Sequence, residues 1–438
     1  MRKYENYLRG KDSLNVTTDS RKVVPGCIFV ALKGEHFDGN DFVEQARQAG
    51  AEYIISGENA LAELQDLARA WRRELGLPVL GITGTNGKTT TKELCAAVLS
   101  TRYNLYYTQG NLNNQLGVPL TLLSITRAHE MAIVEMGASH PGDIKELVEI
   151  AEPDYGLITN VGKAHLQGFG SFEGVMRTKA ELYDFLLAHN GTVFRNADNP
   201  YLEKMYLSAC KASGLSAQRS GSHLKAVCQA KPVLYHMGSM PEGTHLVGGY
   251  NAENISAAIA VGGYFGVSEE DALAAIRAYI PSNNRSQLMQ TERNTLVVDA
   301  YNANPTSMTA AINAFTSSPT AQQSYSVSGL TAQAVLQRSG LTGEAGHETP
   351  RCFILGAMRE LGEYSHTEHQ NIVNMLLERK ADKVLLVGNE YKDTTAPYPV
   401  FENVEALCEY LQREPLGGYT VLLKGSRSNQ LEKAIPFL

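Results

Sequence analysis

The chain has 438 residues, too many for one ordinary hydrophobic core, so we expect about two to four domains. Hydrophobic residues make up 43% of the chain and charged residues 19%, a globular composition that excludes disordered and fibrous classes. The net charge of −7 argues against a general binder of nucleic acids or anionic membranes, because such proteins carry a basic surplus.

The first ten residues, MRKYENYLRG, lack the apolar run of a signal peptide, and no later stretch approaches a membrane-spanning length. The six cysteines are scattered and form no CxxC pair, which is typical of reduced, buried thiols. We therefore expect a cytoplasmic protein, by default a monomer, with no nucleic-acid partner and no membrane insertion.

Secondary-structure patterns divide the chain into three blocks, residues 1–77, 78–286 and 287–438. The first block contains short strand-like pieces, CIFVAL and EYIIS, and the helical pattern ALAELQDLARAWRREL. In the second, apolar strands such as PVLGIT, MAIVEMG and YGLITNVG alternate with helical patterns. This alternation predicts an α/β fold in which helices cover both faces of a parallel sheet.

The third block repeats the α/β alternation, with the strands TLVVDA, RCFILGAM, DKVLLVG and YTVLLKGS. A stretch at about residues 317–349 interrupts it and is rich in Ser, Thr, Gln and Gly with weak apolar periodicity. Such a composition offers few anchors to a core, so the stretch is predicted to be a surface insertion.

The strongest chemical signal is GITGTNGKTTTKEL, in which a predicted strand leads through a glycine-rich turn into a helix. Glycines let backbone N–H groups point at phosphate oxygens, and the helix N-terminus adds positive potential. Lys88 would reach the β- and γ-phosphates, and the Thr89 hydroxyl would bind Mg²⁺. Counted from Gly84, the loop is two residues shorter than GxxxxGK[ST], and a chance glycine turn is the alternative.

Two further polar residues follow apolar strands. Glu135 ends the strand MAIVEM, and a buried carboxylate without a partner would cost several kcal/mol. A metal ion would meet that need, and pairing with an arginine would meet it equally well. His165 follows another strand end and is a candidate ligand of a second metal, although a lone histidine is more often structural.

Several motifs, taken in order, resemble those of the Mur ligase family over nearly the whole chain. Asp19, Ser20 and Arg21 are at the centre of a segment similar to the family's uridine-nucleotide-binding segment. The loop GTNGKTTTKE resembles the family's shortened phosphate-binding loop. The remaining matching segments are QGNLNNQLGVPLTLL, EMGA, TNVGKAHLQGFGSFEGVMRTKAEL, GGYNAENISAAIA, VVDAYNANPTSM, ILGAMRELGEYS and LLKGSRSNQLE.

The resemblance implies an ATP-dependent amide ligase with three α/β domains. Residues 1–77 would bind a UDP-linked substrate, residues 78–286 would form the central parallel-sheet P-loop ATPase domain, and residues 287–438 would form a Rossmann-like domain for the incoming amine. DAYNANPTSM followed by LGAMRELG points to the branch that adds D-alanyl-D-alanine to UDP-N-acetylmuramoyl-tripeptide. That reaction, through an acyl phosphate and with Mg²⁺, serves peptidoglycan precursor synthesis; the tripeptide's third residue, lysine or diaminopimelate, stays open.

The resemblance also implies roles for the residues that bind nucleotide and metal. Asn254 would contact adenine, Asp299 the ribose and Arg285 the phosphates. The loop residues that would hold the ATP phosphates are Gly84, Thr85, Asn86, Gly87, Lys88, Thr89 and Thr90.

For the metals, the resemblance implies that Thr89 and Glu135 bind one Mg²⁺ and His165 the second. Lys179 matches the lysine that family members carry as a carbamate. The residues that would line the dipeptide side are Tyr301, Asn302, Asn304, Lys424 and Ser426.

Other interpretations stay open from the sequence. A sister ligase adding a single amino acid or a folylpolyglutamate synthase is the nearest, and the DSR segment favours a UDP substrate over folate. A P-loop nucleotide switch would have no use for the first and third blocks, and the chain has no NKxD guanine-reading motif. A non-catalytic scaffold is disfavoured by the intact Lys88, Thr89, Glu135 and Lys179.

Overall fold

In a computed structural model of the protein, the described residues are 2–34, 37–213, 217–220, 223–226, 232–281, 285–317, 349–379 and 381–438. The chain divides into two compact units. Unit 1 comprises Met1–Val161, Met176–His236 and Ala257–Ala272, and unit 2 comprises Gly162–Val175, Met237–Ser256 and Leu273–Leu438. The three-domain boundaries expected from the sequence remain a prediction. The predicted insertion lies, apart from its two end residues, outside the described residues.

The N-terminal part of unit 1 contains a three-stranded parallel sheet in the order β1-β2-β3. Its strands are β1 Val16–Thr17, β2 Ile28–Val30 and β3 Tyr53–Ile55, and its helices are α1 Arg2–Leu8, α2 Val43–Gln48 and α3 Ala60–Leu75. Helix α3 buries one apolar stripe, which includes Leu64, Leu67 and Trp71, and ends at Gly76 with a left-handed φ of 63°. The helical pattern and the two strands predicted in this region are present.

The central sheet has six strands, all parallel, in the order β11-β8-β7-β4-β6-β5. Its strands are β4 Val79–Thr83, β5 Leu105–Tyr107, β6 Met131–Glu135, β7 Tyr155–Ile158, β8 Thr192–Asn196 and β11 Val233–Tyr235. A separate antiparallel pair consists of β9 Ala217–Ser220 and β10 His223–Ala226. All residues of β4 and β6 are buried, and each strand is apolar up to its last residue. This pattern is typical of a parallel sheet with helices on both faces.

Eight helices belong to the segments between and after these strands in the described part of the chain. They are α4 Lys88–Leu99, α5 Gly117–Leu123, α6 Asp143–Ala151, α7 Leu166–Phe169, α8 Phe172–Ala188, α9 Pro200–Ala212, α10 Asn251–Tyr264 and α11 Glu269–Ala278. Helix α9 begins where Asn199 accepts hydrogen bonds from the first-turn backbone and proline follows it, a frequent N-terminal arrangement.

The second six-stranded sheet, in unit 2, has the order β12-β13-β17-β14-β15-β16 and is parallel except for β12. Its strands are β12 Gln287–Gln290, β13 Thr295–Asp299, β14 Arg351–Gly356, β15 Lys383–Val387, β16 Val400–Phe401 and β17 Thr420–Lys424. Its helices are α12 Pro305–Ser317, α13 Ser365–Arg379 and α14 Val404–Arg413. Two apolar clusters cover its opposite faces, so the predicted α/β class with a Rossmann-like third block is confirmed.

Short 3₁₀ helices complete the description: Ser20–Lys22, Gly39–Phe42, Gly362–Tyr364, Asn389–Tyr391, Arg427–Asn429 and Leu431–Phe437. In the described ranges, no helix combines the length and apolar composition needed to cross a membrane. Ligands of parallel α/β sheets bind at the carboxyl ends of the strands, so the residues that follow β4, β6, β13, β14 and β17 are the ones of interest.

Candidate active site

The loop between β4 and α4 depends on two glycines. Gly84 has a φ of 148°, and a Cβ placed on it would lie 1.9 Å from Thr159 Oγ1. Gly87 has a φ of 76° and directly precedes α4. Both conformations disfavour any residue with a side chain. The glycines predicted as loop residues therefore shape this turn.

The segment that follows β7 holds the loop in place. Thr159 Oγ1 donates a hydrogen bond to the Asn86 carbonyl at 2.6 Å, and the Asn86 N–H donates to Asn160 Oδ1 at 3.0 Å. The Thr85 N–H donates to the Asn160 carbonyl, also at 3.0 Å. Lys88 folds back over the loop, with Nζ 2.9 Å from the Gly84 carbonyl. The ammonium group therefore lies over the loop that would bind phosphate.

Glu135, at the end of β6, lies beside the first turn of α4 and is 1% exposed. Its Oε1 accepts hydrogen bonds from Thr89 Oγ1 at 3.2 Å and Asn113 Nδ2 at 2.8 Å. Its Oε2 lies 3.7 Å from Nζ of Lys92, which is fully buried, and accepts no hydrogen bond within the described residues. The charged partner of the Glu135 carboxylate is therefore a lysine. From the sequence, a metal ion and an arginine were the two alternatives.

Thr89 and Glu135 fit the Mg²⁺ ion that the sequence resemblance implies. Mg²⁺ prefers hard oxygen ligands, usually one or two from protein, with phosphate and water supplying the rest. A hydroxyl, a carboxylate and one carboxylate oxygen without a hydrogen bond provide this donor set. Within the described ranges, no three His, Cys, Asp or Glu side chains cluster as a dedicated metal cage. The arrangement therefore suits a metal that arrives with phosphate.

Lys179 lies on α8 and is 2% exposed. Burial is the main cause that holds its pKa well below the ordinary value for lysine, and the positive charge of Lys88 acts in the same direction. Asp143 and Glu181 act in the opposite direction without cancelling the effect. Burial and the charge of Lys88 both favour the neutral, nucleophilic form of the amine.

His165 precedes α7 and belongs to unit 2, whereas Thr89, Glu135 and Lys179 belong to unit 1. The φ of His165 is 49°, and its Nδ1 contacts the carboxylate of Glu360. Glu360 itself has a φ of 59°. Non-glycine residues rarely adopt this left-handed region, and such positions cluster at functional sites. Sequence reasoning found His165 but not its partner, because 195 positions separate the two.

Three further residues expected to contact ATP lie in unit 2. They are Asn254, Arg285 and Asp299. Asn254 is buried on α10, and its Nδ2 donates to Asn251 Oδ1 at 2.9 Å. The Arg285 guanidinium stacks 3.7 Å from the centroid of the Tyr301 ring. Asp299, at the end of β13, forms an ion pair with Lys424 at 2.6 Å.

The residues expected on the dipeptide side follow β13 and β17. Lys424 Nζ also donates to the Asn302 carbonyl at 3.2 Å, which connects the two strand ends. Asn304 Oδ1 accepts from the Ser307 N–H at 2.9 Å in the first turn of α12. Ser426 is buried and donates from Oγ to Asn429 Oδ1 at 2.7 Å.

In the N-terminal block, Asp19 accepts from the Arg21 backbone and begins the 3₁₀ helix Ser20–Lys22. The Arg21 guanidinium pairs with the same carboxylate through Nε at 2.8 Å and Nη2 at 2.9 Å. These hydrogen bonds from Arg21 lower the pKa of Asp19 to about 2. The arginine side chain is 85% exposed, so it is oriented by Asp19 and open to a ligand.

A loop whose conformation depends on two glycines, at the carboxyl edge of a parallel sheet and before a helix, is typical of P-loop nucleotide-binding α/β proteins. The chain matches two family models, described as the Mur ligase middle domain over residues 82–262 and as the Mur ligase family, catalytic domain, over residues 14–95. The chain belongs to the Mur ligase family and is a ligase.

The relatives and solved structures extend over nearly the full length. The UDP-N-acetylmuramoyl-tripeptide–D-alanyl-D-alanine ligases of Bacillus subtilis and Escherichia coli are 33% and 32% identical, over 96% of this chain and 92% of their own lengths. The structure of MurF ligase from Thermotoga maritima in complex with ADP has a TM-score of 0.77 and 25% identity, covering 97% of each chain. MurF from Acinetobacter baumannii has a TM-score of 0.76 and 27% identity, covering 96% of this chain and 92% of its own.

Proposed function

We propose that this chain joins D-alanyl-D-alanine to UDP-N-acetylmuramoyl-tripeptide in an amide bond, with ATP converted to ADP and phosphate. Its similarity to UDP-N-acetylmuramoyl-tripeptide–D-alanyl-D-alanine ligases extends over the N-terminal, central and C-terminal blocks alike. The observation that carries the chemistry is the buried Thr89–Glu135 contact beside the glycine-shaped loop and Lys88. This is the arrangement that a phosphoryl-transfer site requires.

The chemical problem is that a carboxylate does not react with an amine at a useful rate, since its oxygen is a poor leaving group. Transfer of the γ-phosphate to the tripeptide carboxylate gives an acyl phosphate, and the neutral amine of the dipeptide then displaces phosphate from the acyl carbon. The first step brings two anions together. Lys88, whose Nζ lies over the loop, offsets this repulsion and stabilises the charge that develops in transfer.

Mg²⁺ would be held by Thr89 and Glu135, with His165 as the candidate ligand of a second ion. Bound there, it neutralises phosphate charge during transfer. Lys179 is buried and its lowered pKa favours the neutral amine that reacts with CO₂; its carbamate would add an anionic oxygen to the phosphate site.

The remaining residues divide the substrates among the blocks. Asp19, Ser20 and Arg21 serve the UDP moiety, and Asn254, Arg285 and Asp299 serve the nucleoside and phosphates of ATP. The residues proposed for the dipeptide are Tyr301, Asn302, Asn304, Lys424 and Ser426. The protein is proposed to act as a monomer in the cytoplasm, where ATP and UDP-linked precursors are available. Buried free thiols at Cys27, Cys95, Cys210 and Cys352 agree with that compartment.

The test is phosphate release from ATP with UDP-tripeptide and D-alanyl-D-alanine supplied separately and together, with the product identified by mass. Release that requires both substrates and yields the pentapeptide product is expected, and Lys88→Ala serves as the inactive control. Single amino acids with other UDP-linked precursors test for a sister ligase, and glutamate with a folate tests for a folylpolyglutamate synthase. Turnover with one of these, but not with the dipeptide, would refute the proposal.

A further inference from the structure

Arg427 lies at the carboxyl end of β17, one residue after Ser426, in the 3₁₀ turn Arg427–Asn429. Strand β17 is flanked in the sheet by β13 and β14, and all three are parallel, so their carboxyl ends share one edge. That edge is where parallel α/β sheets bind ligands. The Arg427 side chain is exposed, so a ligand can reach it.

The Arg427 guanidinium has one aromatic contact. It lies 5.6 Å from the centroid of the Tyr301 ring, a cation–π distance. Within the described residues, its side chain makes no hydrogen bond and no ion pair with a carboxylate. A guanidinium held by a ring keeps its N–H donors available and is oriented in advance, so less conformational freedom is lost when it binds an anion.

The other cations at this edge either form an ion pair or are proposed to bind another substrate. Lys424 forms its ion pair with Asp299. Arg359 donates to Ser428 Oγ at 3.1 Å and forms an ion pair with Glu390. Arg285, which contacts Tyr301 at 3.7 Å, is the residue proposed for the ATP phosphates. Arg427 is therefore the arginine at this edge whose donors are available for the amine substrate.

The incoming dipeptide offers few groups for recognition. Its side chains are two methyl groups, and its amine must be neutral and free to attack the acyl carbon. The terminal carboxylate is then its one full charge, and a guanidinium binds a carboxylate through two parallel N–H···O bonds. We propose that Arg427 binds the terminal carboxylate of D-alanyl-D-alanine, an inference that rests on the ligase function proposed above.

The experiment compares D-alanyl-D-alanine with D-alanyl-D-alaninamide, which keeps the attacking amine and both methyl groups but lacks the carboxylate. Ligation kinetics are measured for the full-length protein and for Arg427→Ala, Arg427→Lys and Arg413→Ala. Arg413 is an exposed arginine at the last residue of α14. A helix between parallel strands runs against them, so its last residue lies at the opposite sheet edge and Arg413→Ala is the matched control.

The wild type is expected to prefer the acid over the amide. In Arg427→Ala this preference should fall about 10- to 100-fold through a higher KM for the dipeptide, with the KM for ATP unchanged. Arg427→Lys keeps the charge without the paired donors. Its preference for the acid should lie between those of the wild type and Arg427→Ala. Arg413→Ala should keep the wild-type preference.

Two outcomes overturn the inference while the ligase function stands. One is an Arg427→Ala variant with the wild-type preference for the acid, and the other is a wild type that uses the amide as well as the acid. Failure of the proposed function appears differently, as a wild type without dipeptide-dependent phosphate release. An unchanged KM for ATP in Arg427→Ala shows that the variant is folded.

Discussion

At the phosphate site, the charge that a residue needs and its burial have opposite effects on its stability. Glu135 must be an anion to serve as a metal ligand, yet it is almost fully buried, where an unpaired charge is costly. The fully buried Lys92 and the hydrogen bonds from Thr89 and Asn113 meet that cost before any metal is present. Lys179 shows the complementary case, since burial there favours the neutral amine.

The first residue-scale prediction concerns Lys92. Lys92→Met removes the ammonium and leaves Glu135 buried without its cation, which should lower the free energy of unfolding by about 3–5 kcal/mol. Trp71, the single tryptophan, is buried in unit 1 and reports denaturant unfolding of that unit by its fluorescence. The double variant Lys92→Met/Glu135→Gln should recover much of the loss. A double variant no more stable than Lys92→Met would contradict this account.

Lys179 gives a prediction about CO₂. Burial and the charge of Lys88 lower the pKa of Lys179, which favours the neutral amine that carbamylation requires. Lys179→Ala should lower kcat about 10- to 100-fold, and depletion of dissolved CO₂ should lower wild-type kcat reversibly. A carbamate signal in ¹³C NMR after addition of labelled bicarbonate would identify the adduct, with Lys179→Arg as the unreactive control. Unchanged kcat without CO₂, together with no carbamate signal, would exclude the modification.

At the scale of elements, local patterns were sufficient wherever a strand was long and apolar. The strands β4, β6, β13, β14 and β17 are all apolar runs and were predicted. Three short edge strands, β1, β5 and β16, were missed, because two or three residues carry no periodicity. β12 was not predicted, because two glutamines bound this short strand and its antiparallel pairing with β13 depends on a neighbour in space.

The site shows the same division between local and tertiary information. The phosphate loop was predicted because its glycines, Lys88 and Thr89 are consecutive in the chain. Lys92 was not recognised, although it is one helical turn after Lys88, since only the packing of α4 on β6 places it beside Glu135. Glu360 and Arg427 were missed for the same reason, as each acquires its partner from another segment.

The loop itself supplies an element-scale prediction. Gly84→Ala would place a methyl group against the Thr159 hydroxyl that holds the Asn86 carbonyl, at a φ that alanine rarely adopts. The affinity for ATP, measured by titration calorimetry, should fall about 5- to 150-fold, corresponding to about 1–3 kcal/mol. Gly263→Ala on α10 is the control, because its added Cβ meets nothing within 4 Å. Equal ATP affinity in both variants would show that the loop tolerates a side chain.

For the whole molecule, the proposed function requires one chain to bind three substrates, and the proposed residues divide among its segments. Those proposed for UDP and for the loop-bound phosphates lie in unit 1, and those proposed for the dipeptide lie in unit 2. The composition and the α/β alternation predicted this multidomain organisation, because each block carries its own apolar strands. The boundaries of the three predicted domains remain predictions. The clustering of Gly162–Val175 with a different unit from its chain neighbours depends on contacts in space that the order of the sequence does not contain.

The division of labour predicts separable kinetic effects. Arg21 is exposed and oriented by its paired contacts with Asp19, so Arg21→Ala removes charge-assisted hydrogen bonds to the UDP substrate. Such bonds are worth about 1.5–3 kcal/mol, so the KM for UDP-tripeptide should rise about 10- to 150-fold. The KM for ATP should stay unchanged, because the phosphate loop is formed by other segments.

Arg47→Ala is the matched control, since Arg47 is another exposed, ion-paired arginine of the N-terminal block and lies outside the Asp19–Arg21 segment. It should leave both KM values at the wild-type level. A second variant, Asp19→Asn, weakens the contact that orients Arg21 while keeping the arginine, and should raise the KM for UDP-tripeptide less than Arg21→Ala does. If Arg21→Ala raises the KM for ATP as much as that for UDP-tripeptide, the segment serves both substrates and the proposed division among domains is wrong.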